Sequence, residues 1–237
     1  MYETGSNRWM RYYEWPPKNA EEKTLYLHAG GKLSFDAPAG SEAEFDAYVS
    51  DPRQPVPYLE HAPTELGEEF MYGEQRFAAK RADVLTYASD VLTEDVTVVG
   101  PVSPRLQVAT SGTDSDFDVK LIDVYPDSGP TAGYELLVRG EPMRAKFRDS
   151  FSTPEAMIPD AVTPVNFEMP DVNHTFLRGH RIMVQVESSW FPLTDVNPQR
   201  FEDIATAQPG DFVKAAERVY HSRQAASGVV VHVLERK

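Results

Sequence analysis

The sequence predicts an all-β fold, a jelly-roll β-sandwich with few short helices. Three observations predict it. Apolar and polar residues alternate at period two from one end of the chain to the other. The alternating runs are separated by clusters of Gly, Pro, Asn and Asp, the residues that turn a chain. Helical patterning is scarce, so the chain does not read as alternating βα units.

The elements follow in order. Leu25 and Leu27 alternate with Tyr26 and His28, and Gly30-Gly31 turns the chain into Leu33 and Phe35. Val84 to Tyr87 is a short apolar run. Val96 to Val99 runs into Gly100-Pro101, and a further run sets Leu106 and Val108 opposite Arg105 and Gln107. Phe117, Val119 and Leu121 share one face with Lys120 on the other. Tyr134 to Val138 follows Gly133, and Arg144 to Phe151 alternates charge with aromatic and small residues. Asn173 to Phe176 precedes a turn at Arg178-Gly179. Ile182, Val184 and Val186 then oppose Met183, Gln185 and Glu187, and Val229, Val231 and Val233 close the pattern. Phe212 to Arg218 and Ser41 to Asp46 each have the composition of a helical turn, and neither is long enough for a stable isolated helix.

Residues 36–80 break the pattern. They are rich in proline and acids and poor in alternation. A connection of that length is functional or disordered more often than incidental. Asp51 to Tyr58 is expected to be stiff and extended, because each proline fixes its own φ and biases the residue before it. A stiff loop projecting from a sandwich suits an interface, and an ordinary surface excursion is the plainer reading beside it.

Composition excludes several functions. The chain has 237 residues and no cysteine, which removes disulfides, thiol catalysis and zinc–thiolate sites. Its formal net charge of −14 argues against non-specific binding to nucleic acid or to an anionic membrane surface. Every apolar run is strand-sized, far short of the ~18 residues of a membrane span. The opening Tyr2 to Trp9 reads as a chain already under way rather than as a natural start.

No catalytic motif appears. None of the fourteen glycines has a serine two residues later, so the Gly-x-Ser-x-Gly nucleophile elbow is absent. There is no Gly-x-Gly, no phosphate loop and no His-Glu-x-x-His. Asp114, Asp116 and Asp118 begin like a calcium loop. That template then needs glycine at its sixth position and glutamate at its twelfth, where this chain has Val119 and Tyr125. A non-standard calcium site in the Ser111–Asp118 turn stands beside the plainer reading, aspartates bonded to nearby backbone amides. His174 and His180 lie ~20 Å apart along a continuous strand, too far to share a metal. A turn between them would close that gap, and both read as structural histidines. Trp9, Trp15 and Trp190 sit in aromatic clusters, read as core or inter-domain packing with a sugar- or peptide-binding platform as the sharper option.

Collectively, several segments resemble a known family. They include Thr4-Gly5-Ser6-Asn7-Arg8-Trp9, Trp15-Pro16-Pro17, Tyr48-Val49-Ser50-Asp51-Pro52 and Pro55-Val56-Pro57. Further segments are Asp83 to Tyr87, Ser111 to Phe117, Val119 to Pro126, Gly133 to Leu136, Arg148 to Phe151, Asn173 to Leu193 and Asn197 to Gln199. Over nearly its whole length the chain resembles the C-terminal domain of the α-amino-acid ester hydrolases, which belong with cocaine esterase and the X-Pro dipeptidyl-peptidases. The resemblance implies a galactose-binding-domain-like jelly roll over residues 25–237, with residues 1–24 a lead-in from an α/β-hydrolase domain. It implies that Ser, Asp and His of the parent serine hydrolase lie ahead of this chain, so no catalytic residue is carried over, and that neither cofactor nor metal is needed. The implied substrates are α-amino-acid esters, amides or X-Pro peptides. The implied partner is the hydrolase domain of the same polypeptide, whose cleft this domain closes on one side. Family members are similar to secreted or periplasmic proteins, and often form homo-oligomers. Tyr58, Leu59 and Tyr72, on the excursion from Asp51 to Tyr72, are the residues expected to face the cleft. The competing reading is a free-standing jelly roll that binds carbohydrate or peptide. A domain parted from its partner should also expose apolar surface, with Trp9, Trp15 and the excursion as candidates.

Overall fold

A computed structural model describes residues 1–40, 44–61 and 67–235. The chain is all-β, a sandwich of mostly antiparallel strands with one short helix and three 3₁₀ turns among the described residues. A small hairpin pairs β1 (Tyr2–Glu3) with β2 (Arg8–Trp9). The main ladder begins with β3 (Ala20–His28) and β4 (Lys32–Ser34), joined through Gly30-Gly31, then β5 (Phe45–Ser50). After the helix α1 (Arg76–Ala79) come β6 (Leu85–Ala88), β7 (Val96–Thr110), β8 (Asp116–Val124) and β9 (Glu135–Arg144). The chain closes with β10 (Thr163–Asn166), β11 (Met169–Phe176), β12 (Arg181–Glu187), β13 (Ala215–Ser222), β14 (Ala225–Ala226) and β15 (Gly228–Leu234).

The alternation sets the layers. Leu25 and Leu27 of β3, Val98, Leu106 and Val108 of β7, Val219 of β13 and Val229 and Val231 of β15 form one side of the core. Tyr87 of β6, Phe117, Val119 and Leu121 of β8 and Val184 and Val186 of β12 form the other, in one continuous cluster. β7 is the longest strand. It pairs with β15 and β11 along its first half and with β10 and β13 along its second.

Several expectations are corrected. The Val96 and Leu106 runs are one strand, because Gly100 takes φ +78° and the registers of β11 and β15 both shift opposite it. A bulge absorbs the Gly-Pro step without ending the strand. Phe212 to Arg218 is not helical. Ala215, Glu217, Val219 and His221 are buried in alternation, so period two wins over a weak helical propensity. Of Ser41 to Asp46, residues 41–43 lie outside the described residues, and Phe45 and Asp46 begin β5. Arg144 to Phe151 is not a strand. After Arg144 it turns through a 3₁₀ segment, with Arg148 held by the Ala145 and Glu155 carbonyls.

The largest difference concerns the proline-rich excursion, which does not project. Val56, Tyr58 and Leu59 are buried. The Tyr58 N–H donates to the Phe191 carbonyl at 2.8 Å and the Phe191 N–H to the Val56 carbonyl at 2.9 Å. The excursion thus lies over the outer face of β12, β8 and β9. There Tyr58, Leu59, Ile122, Leu137, Met183 and Trp190 form a second apolar cluster, with Phe70 and Leu193 against it. Residues 62–66 of the excursion lie outside the described residues.

Candidate functional site

The outer face of β8 and β12 is where polar chemistry collects. Strand alternation turns Asp116, Asp118 and Lys120 of β8 and Glu187 of β12 away from the main core. Solvent would normally receive them, but here the excursion and the Ser188–Leu193 segment cover them. Lys120 and Glu187 are both fully buried and pair at 2.6 Å. Lys120 Nζ also sits 4.9 Å from the centre of the Trp190 ring, in cation–π range. Trp190 packs so closely that a Cβ on Gly140 of β9 would lie 2.6 Å from its Cη2. Only glycine fits there.

Two of the three aspartates, Asp114 and Asp116, are held by hydrogen bonds from the chain itself. Asp114 accepts from the Lys146 N–H at 2.9 Å and from Asn197 Nδ2 at 3.1 Å. Asp116 takes both arms of the Arg144 guanidinium, at 2.9 and 3.0 Å, and Asn197 Nδ2 at 2.8 Å. Among the described residues neither Asp118 oxygen has a hydrogen-bond partner, and no group of three or more His, Asp or Glu is placed to hold a metal ion. Residues 114–118 are a buried polar hub, with Asp114 and Asp116 answered by Lys146, Arg144 and Asn197.

Burial raises the acids of this hub. It pushes Asp114 up to about 6, aided by Asp116. It pushes Glu217 up to about 8 against the hydrogen bonds of Thr110 and Ser115. It holds Asp118 well above the usual carboxylate range, with Asp116 and Glu187 adding repulsion. The folded Glu217 therefore keeps its proton to higher pH than an unfolded glutamate near 4.5. Its contribution to stability is complete below that unfolded value and is lost as pH rises through about 8. Glu217→Gln should flatten the fall in Tm between pH 5 and pH 8, by about 2–4 °C for each kcal/mol of titration removed. A thermal-melt series that falls as steeply as wild type would contradict this.

The two histidines do meet. The turn at Leu177–His180 sets His174 Nε2 3.2 Å and His180 Nδ1 2.8 Å from the two oxygens of buried Asp123. His174 Nδ1 lies 2.8 Å from the Thr4 hydroxyl, giving the order hydroxyl, imidazole, carboxylate. The Thr4 hydroxyl also points its proton at the Asn173 carbonyl, 3.2 Å away, and the Thr4 N–H donates to that same carbonyl. The cluster fastens Thr4, beside the N-terminal hairpin, to β11.

The residues expected to face a cleft divide into two kinds. Tyr58 and Leu59 are buried beneath Phe70 and beside Trp190. Tyr72 is 58% exposed, next to Met71 at 54%. Trp9 is 80% exposed, whereas Trp15 is half-buried and donates to Asp171. The Lys120–Glu187 pair was missed by sequence reasoning. Its signal was present in Met183 and Ile122, apolar residues on the supposedly solvent-facing sides of their strands.

Comparison with known proteins covers the same ground. The family described as the X-Pro dipeptidyl-peptidase C-terminal non-catalytic domain matches residues 1–230. Cocaine esterase of Rhodococcus sp. (strain MB1 Bresler) is 32% identical over all of this chain, which spans 42% of that protein. The structure of an aminopeptidase from a marine sediment Thaumarchaeota archaeon superposes with a TM-score of 0.93 at 42% identity, covering 99% of this chain and 40% of its own. An α-amino acid ester hydrolase superposes with a TM-score of 0.92 at 43% identity, covering 98% of this chain and 40% of its own. The chain spans about two fifths of the length of these relatives.

Proposed function

This chain belongs to the X-Pro dipeptidyl-peptidase C-terminal non-catalytic domain family, and on that premise we propose that it packs against an α/β-hydrolase portion of the same polypeptide and closes one side of that portion's active-site cleft. The hydrolase portion supplies the serine nucleophile and its partners, and acts on α-amino-acid esters, amides or X-Pro peptides. Residues 1–24 serve as the lead-in and residues 25–237 as a jelly-roll domain. The polypeptide is secreted or periplasmic, and forms homo-oligomers.

One observation carries the cleft reading. The excursion is anchored at Val56–Tyr58 and presents Met71 and Tyr72 to solvent at its far end. An anchored loop with an exposed aromatic tip is a preorganised wall for an acyl group. Tyr72 meets the substrate, and Tyr58 and Leu59 form the wall behind it. In the longer polypeptide, Tyr72→Ala should change the ratio of kcat/KM between bulky and small acyl donors by roughly 10-fold. Because Tyr72 is exposed in this chain, the Tm of the chain alone should hold. An unchanged ratio sinks the cleft assignment.

A further inference from the structure

β9 is an edge strand. It pairs with β8 on one side, and among the described residues no backbone pairs with residues 137–142 on the other. Three concavities lie along it. The largest, about 360 Å³, has Trp190, Leu137 and Leu193 at its floor and Phe70 and Met71 at its wall. A second, about 300 Å³, runs from Glu141 and Pro142 to Phe147 and Phe151. A third joins Pro142 and Leu193 to Arg144. All three are lined by Pro142, so they adjoin along the β9 edge. Exposed apolar side chains stand at both ends, Met71 and Tyr72 at one and Phe151, 82% exposed, at the other.

We infer that this β9 face is the seam on which the catalytic portion of the same polypeptide docks, seating an apolar side chain over Trp190. The inference rests on the proposed function and names its contact surface. Continuity supports it. Arg139 of β9 donates to the Asp171 carbonyl, and the Asp171 carboxylate receives Trp15 of the lead-in, so the lead-in and the seam adjoin. Length supports it as well. The relatives are about two and a half times as long as this chain, and a covalently joined partner acts at an effective concentration on the order of mM, ahead of any second copy. The rim carries both signs of charge, with Arg139, Glu141, Arg148 and Glu168, which suits neither a polyanion nor an acidic peptide. Pro142 interrupts the edge's row of N–H donors. Docking is therefore by side chains into the concavities rather than by a long added strand.

Hydrogen exchange tests the seam, on the 237-residue chain alone and on the polypeptide that carries a catalytic portion ahead of it. Amides of residues 137–142 that do not bond to β8 should exchange at least 10-fold more slowly in the longer polypeptide. The outer edge of β5, residues 45–50, should exchange alike in both. Met71→Asp in the longer polypeptide should abolish the protection, without changing the melting of the chain alone. Protection found only elsewhere on this chain overturns the seam and spares the proposed function. Protection nowhere on the chain overturns both. Protection already present in the chain alone and rising with its concentration assigns the face to a second copy, and overturns the seam.

Discussion

Replacing Lys120 with Met should lower the stability of this chain by about 3–5 kcal/mol at pH 7, the usual cost of removing one partner from a buried ion pair. The volume of the side chain is nearly kept, so the loss is electrostatic. Glu187 is left fully buried beneath Trp190 without its cation, and Asp118 stands nearby with no hydrogen-bond partner among the described residues. Burial already raises Glu187, and Lys120 is what draws it back. Without Lys120 the carboxyl escapes its penalty by taking a proton. The loss should therefore be larger at pH 8 than at pH 5. Adding Glu187→Met should recover most of it, because an apolar pair of similar volume replaces a buried ion pair at little cost. Urea midpoints with an unchanged m-value measure the effect. A loss below about 1 kcal/mol at pH 7 would mean that water reaches the pair.

This pair also shows where the sequence was legible. The main core was, because Phe117, Val119 and Leu121 or Val229 and Val231 alternate cleanly against one buried face. Alternation puts Lys120 and Glu187 on the opposite face of the same strands, which in a half-buried sheet is the solvent face. That reading assumes that a strand has one wet side. Here a second layer, drawn from residues 51–72 and 188–193, covers the wet side and reverses the inference. Prolines hid that layer. They suppress alternation in the segment that carries Val56, Tyr58 and Leu59, so a buried stretch looked like a projecting loop. His174 and His180 are ~20 Å apart only if their segment is one continuous strand, and the turn at Arg178-Gly179 is the alternative that the sequence also offers. Gly179, at φ +90°, turns the segment and brings both rings to Asp123. The family motifs were legible because they are dense between Asn173 and Leu193. They carry no information about the face on which a partner sits, which depends on where β9 falls in the sheet order.

The second large effect is catalytic. A chain of this family without its catalytic portion should do no chemistry on its own. Among the described residues, the hydroxyl–imidazole–carboxylate order of Thr4, His174 and Asp123 is spent on fastening the N-terminal segment to β11. Two assays in parallel decide the matter, turnover of an amino-acid ester and covalent labelling by a serine-directed organophosphonate. Each is run on the 237-residue chain and on the polypeptide carrying a catalytic portion ahead of it. The longer polypeptide should accelerate hydrolysis by roughly 10⁶-fold or more over the uncatalysed reaction and take the label on a serine ahead of Met1. The chain alone should hydrolyse no faster than buffer and take no label. Turnover by the chain alone, or a label on any of its own hydroxyls including Thr4, would contradict its assignment as the non-catalytic partner.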